Sequence, residues 1–143
     1  DEGKNLEKDI LNQINSIETL RKSISTKQSI TIKEFQDKLT EKIKTLTSGL
    51  EIDPARIAQE SALLADRCDV TEEIVRLKSH LEQFNILIAS NDPQGRKLEF
   101  LTQEINREVN TTGSKTIDLE VSSAVIEMKS CLEKIREQLA NIE

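Results

Sequence analysis

The 143-residue sequence predicts an all-α fold: a long N-terminal helical arm or hairpin over residues 1–50, then a compact antiparallel bundle of about four helices over 51–143. Three observations carry this expectation. Apolar residues recur every three or four positions through most of the chain, which is the spacing of one stripe on a helix. Only four Gly and two Pro are present, so long uninterrupted helices are allowed. Aromatics make up 2%, with Phe35, Phe84 and Phe100 the whole set, so the core must rely on Leu and Ile packed between helices. More than about 70% helix and no sheet is the expected content.

The first element covers about Lys4 to Ile24, with Leu6, Ile10, Ile14, Ile17, Leu20 and Ile24 on a narrow stripe. Ser23, Ser25, Thr26, Gln28, Ser29 and Thr31 then interrupt the strong helix formers. A second stripe follows: Phe35, Leu39, Ile43, Leu46 and Leu50. The reading favours a kinked or broken rod that projects from the rest, with a hairpin or one long helix as alternatives. Such a thin arm has to fold back or find a partner to bury its stripe, which predicts self-association.

Ser48 to Pro54 is the clearest punctuation. Gly49 can end one helix, and Asp53 as N-cap with Pro54 at the first helical position starts the next, which carries Ile57, Ala58, Leu64, Ala65 and Cys68. Asp69 is the expected N-cap of a third helix, with Glu72 completing a capping box. Its inner face is Ile74, Leu77, Leu81, Phe84 and Leu87 or Ile88, and it ends before Ser90-Asn91-Asp92-Pro93. The stretch Gly95 to Lys115 is a helix on the stripe Leu98, Leu101, Ile105 and Val109, with a short break expected over Asn110–Gly113. Ser114 then caps a last helix whose stripe is Leu119, Val125 or Ile126, Met128 or the stem of Lys129, Leu132, Ile135, Leu139 and Ile142.

The net charge of −6 argues against a broad polyanion groove. Its distribution is uneven. Residues 1–50 hold nine Lys or Arg against eight Asp or Glu, residues 51–143 hold eleven against eighteen, and Gly95–Lys115 holds four against three. That stretch is a neutral-to-basic island in an acidic half. Two cysteines, Cys68 and Cys131, give no disulfide framework and suit a reduced cytoplasmic compartment. Both read as small hydrophobes. No apolar run approaches a membrane span, and no signal-peptide core is visible. Gly-rich phosphate loops and paired-histidine zinc helices are absent, and a single histidine with two distant cysteines argues against a structural zinc site.

The polar side chains of Gly95–Lys115 are unusual. Arg96, Glu99, Gln103, Asn106 and Asn110 follow one another at helical spacing, and so do Arg96, Gln103, Arg107 and Asn110. Arg, Gln and Asn make directional hydrogen bonds that suit phosphates, amides and base edges, whereas solvated helices usually carry interchangeable Lys and Glu. The pattern fits a ligand surface or a polar network between helices. Glu104 and Glu108, one turn apart, have the spacing to hold a hard divalent ion with Glu99 or Glu73 from a neighbouring helix, although such pairs also serve in salt bridges. His80 is the sole histidine, with Arg76 one turn back and Glu73 three positions further. It is a candidate acid or base, or an ordinary hydrogen-bonded helix residue.

This stretch resembles the C-terminal region of the YicC-like family, bacterial proteins described as endoribonucleases. The resemblance rests on Gly95-Arg96-Lys97-Leu98, Phe100-Leu101, Gln103-Glu104, Asn106-Arg107-Glu108, Asn110-Thr111 and Ser114-Lys115. Arg56–Glu60, Ala62–Ala65, Asp69–Glu73, Arg76-Leu77, Ser79-His80, Glu127–Lys129, Glu133–Gln138 and Asn141–Glu143 extend it. Departures are mild: Ser61 and Ile74 stand where Val and Leu are more usual, and Thr112 where an aliphatic residue is common.

The resemblance implies RNA, single-stranded or structured, as partner, and a ring-like homo-oligomer. It also implies a further N-terminal domain not contained in these residues. Its first functional expectation is metal-assisted phosphodiester cleavage by His80, Glu104 and Glu108, with Mn²⁺ or Mg²⁺ on Glu104, Glu108 and Glu73. Arg96, Lys97, Gln103, Asn106, Arg107, Asn110 and Lys115 would contact RNA. The alternative is a non-catalytic helical scaffold that assembles the oligomer and clamps RNA, with the chemistry in the other domain.

Overall fold

No Gly or Pro occurs between Gly3 and Gly49, and the helix that begins the chain does not stop at the Ser/Thr-rich stretch. A computed structural model describes residues 2–48, 53–90 and 95–142, the side chains of 2, 28–32, 35 and 142 excepted. Helix α1 runs unbroken over Glu2–Leu46, α2 over Pro54–Arg67, α3 over Thr71–Ile88, α4 over Gly95–Lys115 and α5 over Leu119–Ile142. No strand occurs among the described residues. The break expected in α1 is therefore absent. Hydroxyls that compete with helical bonding instead turn back onto it: Thr19 donates to the Asn15 carbonyl and Thr26 to that of Lys22, both at 3.0 Å. Gly49 as a stop signal, Leu50 and Asn91–Pro93 lie outside the described residues, as does the side chain of Phe35.

The stripe expected to need an outside partner finds one in its own chain. Ile10, Ile14, Ile17 and Ile24 are buried in one core with residues of α3, α4 and α5. The first half of α1 is thus a bundle helix and does not project. It packs on α3 and α5, and α4 packs on the same two, so the four helices close a square in which neighbours run antiparallel. Phe84, Leu77, Leu81, Leu98, Ile105, Met128 and Ile135 fill the centre, each side chain worth about 1.5–3 kcal/mol of burial. Arg21 is also buried, matched by Glu18 three residues earlier through contacts of 2.8 and 2.6 Å. That hydrogen bond holds the Glu18 carboxyl below its usual range.

Beyond the bundle, α1 continues to Leu46 and α2 packs back along it. Asp53 caps α2 as expected, accepting the Ala55 N–H at 3.0 Å, with Pro54 at the first position. Ile57, Ser61 and Ala65 are the buried face of α2, and the Ser61 hydroxyl lies 3.4 Å from that of Thr40. Ala58 is exposed, and Cys68 is half-buried at the helix end.

Three expected boundaries shift. Helix α3 takes Val70 as its cap residue. Asp69 accepts the Thr71 N–H at 3.0 Å, one position earlier than a capping box would have it. No break occurs at Asn110–Gly113, because Thr111 and Thr112 bond back to the Arg107 and Glu108 carbonyls and α4 runs to Lys115. Gly113 serves packing instead: a Cβ there would lie 3.0 Å from Cγ1 of Val125 on α5. The cap of α5 is Asp118, not Ser114. Its carboxylate accepts the N–H groups of Glu120 and Val121 at 2.8 and 3.1 Å. Starting α5 there turns Leu119 out to solvent and puts Val121, Val125 and Met128 inside, with Ile126 exposed.

Candidate nucleic-acid interface

The two walls flanking α4 sort its polar side chains. Successive residues turn by about 100°, so Leu98, Leu101, Ile105, Val109 and Thr112 point into the bundle. Glu104, Glu108 and Lys115 lie on the side of α3. Glu99, Gln103, Asn106 and Asn110 lie on the side of α5. The crest between them carries Arg96, Phe100 and Arg107, all exposed.

The α3 side is an ion network with Arg76 at its centre. Arg76 Nε donates to Glu108 at 3.0 Å, and its other nitrogens lie 3.5 Å from Glu72 and 3.7 Å from Glu73. Lys115 Nζ donates to Glu73 Oε1 at 2.5 Å. Glu73 is 1% exposed and Glu108 is also buried, so each acid is taken from water and met by a cation from the facing helix. These hydrogen bonds hold both Lys115 and Arg76 above their ordinary pKa values. Two atoms here are orphaned: Glu73 Oε2 and His80 Nδ1 are buried with no hydrogen-bond partner among the described residues. The antiparallel register that joins Arg76 to Glu108 brings half-buried His80 level with Glu104, one turn further along each helix.

The α5 side is an open polar groove of about 410 Å³. Thr102, Gln103, Asn106 and Asn110 line one wall, and Lys129, Glu133 and Arg136 the other. Among the described residues the three amide side chains make no side-chain hydrogen bond to a neighbouring helix, so they are not the ties of a polar helix–helix network. They face solvent opposite Lys129 and Arg136, with Glu99 and Glu133 lining the same groove and Arg136 3.9 Å from Glu133, so the groove offers hydrogen-bonding amides in a charge-balanced setting.

The structure thus gathers Gln103, Asn106 and Asn110 in one groove and places Arg96 and Arg107 on the adjoining crest, with Lys97 exposed towards α3. It separates Lys115 from them by pairing it with Glu73. Glu73 and Glu108 meet through Arg76, not through a shared ligand position. No group of three His, Cys, Asp or Glu among the described residues is arranged to hold a metal ion. Lys129 and Arg136 complete the groove from a helix whose sequence reads only as a core stripe. Phe100 was legible as an aromatic off the stripe of α4. Cys131 is half-buried against the core, and burial pushes its thiol up.

The fold and site together define an all-α bundle protein whose α4 carries exposed Arg96 and Arg107 beside an amide-lined groove. Residues 24–143 match the family described as Endoribonuclease YicC-like, C-terminal, and the chain belongs to that family. It is 44% identical over 144 residues to a protein of Clostridioides difficile named "Probable endoribonuclease YicC", covering 100% of this chain and 49% of that protein. A protein of Haemophilus influenzae with the same name is 33% identical over 142 residues, 99% of this chain and 49% of its own. The chain spans about half the length of the curated relatives it matches. No helix among the described residues is long and apolar enough to cross a membrane.

Proposed function

We propose that this chain is the helical RNA-clamping scaffold of an endoribonuclease, gripping RNA with the crest and α5 groove of α4 while residues outside these 143 cut the phosphodiester. RNA as partner is carried over from the names of the relatives. The division of labour rests on one observation. Of the three acids that the sequence marks for chemistry, Glu73 and Glu108 are buried and neutralised by Lys115 and Arg76 across the α3–α4 seam, and half-buried Glu104 is left, among the described residues, without an acid beside it to share a ligand. Residues committed to holding two helices together are poorly placed to bind metal or move protons. Self-assembly belongs to the same reading. Its interface is a surface other than the α1 stripe, which the bundle already buries, and sedimentation across micromolar concentrations tests for it.

A second reading, metal-assisted cleavage at the α3 side with His80 handling a proton, is favoured by the orphaned Glu73 Oε2 and His80 Nδ1. Paired measurements of RNA affinity and cleavage rate, with and without Mn²⁺ or Mg²⁺, separate the two. On the scaffold reading R96A and R107A weaken RNA binding and each lowers the salt slope by somewhat under one unit. E104Q, E108Q and H80A then cleave at the wild-type rate. Loss of cleavage with affinity intact in any of those three moves the chemistry onto this chain.

A further inference from the structure

Phe100 is 59% exposed, whereas Phe84 is fully buried. An isolated exposed hydrophobe needs no explanation, and Leu46, Val75, Ile86 and Leu119 are more exposed still. What separates Phe100 from them is its surroundings. Arg96 lies one turn before it and Arg107 two turns after it on the same crest, about 6 and 10 Å along the helix axis. Neither guanidinium enters an ion pair among the described residues, whereas Arg21, Arg76 and Arg136 all do. Lys97 and Arg96 lie one turn before the ring and Gln103 and Glu104 one turn after it, so it sits among polar and charged side chains and not in an apolar patch of the kind a second protein chain would cover.

We propose that Phe100 is the stacking platform for one unpaired RNA base, with Arg96 and Arg107 taking phosphates on either side, so that this face selects single-stranded over duplex RNA. The inference rests on the RNA-clamping reading above. An aromatic face accepts any base but only an unstacked one. A-form duplex keeps its base faces covered and offers the protein mainly phosphates and 2′-hydroxyls. The two arginines alone would bind either form. The exposed ring supplies the discrimination.

The chain contains no tryptophan, so F100W places a single reporter at the site. The expected result is quenching of its emission by a single-stranded RNA of about twelve nucleotides, and no quenching by the blunt duplex of the same sequence. F100A and F100L should lower single-strand affinity on the order of ten-fold and leave duplex affinity unchanged. Circular dichroism melts of both variants should match the wild type, because the ring lies outside the core. If wild type binds the single strand and F100A binds it equally well, stacking is wrong and the RNA reading stands. If wild type binds neither RNA, both fall together. Emission of F100W that shifts with protein concentration but not with RNA shows the ring covered by a second copy, and overturns the proposal.

Discussion

The two flanks of α4 are built from one helix with opposite logic. Towards α3, acids and bases are interlocked: Glu73 with Lys115, and Glu108 with Arg76. Towards α5, Gln103, Asn106 and Asn110 line an open groove, with no cross-helix hydrogen bond from their side chains among the described residues. Polar residues on two flanks of one helix thus hold the fold on one side and line an open groove on the other. Angular position and residue type go together: charged pairs face α3, and uncharged amides face the groove.

The largest effect that sharpens this contrast comes from Glu73. E73A removes a buried acid and strands a lysine that can still reach water. The expected loss is therefore about 1–3 kcal/mol in thermal or urea melts, below the full cost of breaking a sealed pair. N106A and N110A on the other flank should stay within about 0.5 kcal/mol of wild type while weakening RNA binding. Equal destabilisation on both flanks breaks the comparison.

Arg76 comes next. R76A leaves Glu108 buried without its cation and should cost about 1–2 kcal/mol. R76K should recover only part of that, because one ammonium cannot span Glu72, Glu73 and Glu108 as a planar guanidinium does. Full rescue by lysine means that charge alone matters at this seam.

Gly113 probes how tightly α4 approaches α5. G113A gains helix propensity but crowds Val125, so it should be neutral or destabilising alone. In a V125A background the same change should stabilise by about 0.5–1 kcal/mol, a double-mutant cycle read by melting.

The smallest effect is alkaline. Lys115 is raised above its ordinary value of 10.5 by its hydrogen bond to Glu73, so its contribution is complete below that pH. It fades as pH climbs through the higher value in the folded chain. Wild-type Tm should therefore fall more steeply above pH 10.5 than that of K115M, and the two should run parallel from pH 6 to 9.

Much of this was legible in the sequence. The stripes named Ile10, Ile14, Ile17, Leu77, Phe84, Leu98, Ile105 and Leu132 as core, and Asp53-Pro54 as a helix start. Boundaries failed where local chemistry had two solutions. Thr111, Thr112 and Gly113 read as a break, but hydroxyls can bond back along a helix and a glycine can serve close packing. The destination of the first stripe was not legible, because periodicity tells which face is apolar and not what will cover it. At the candidate site the sequence marked the polar face of α4. It could not divide that face into a structural flank and an open one, because the deciding partners, Arg76 on α3 with Lys129 and Arg136 on α5, lie elsewhere in the chain.

The unbroken α1 has a mechanical consequence. Its 45 residues extend nearly 70 Å, at about 1.5 Å each. The segment from Ile10 to Ile24 is clamped in the bundle, and the remainder leaves it as a cantilever that carries α2. A force applied to α2 has no loop in which to dissipate along α1, so it arrives as a bending moment on Ile17 and Ile24. It also reaches the bundle through Cys68 to Val70, the short connection from α2 to the start of α3, where Glu73 and Arg76 sit. Load on the far tip of the molecule is thus delivered, by stiffness alone, to the seam that fixes one flank of α4.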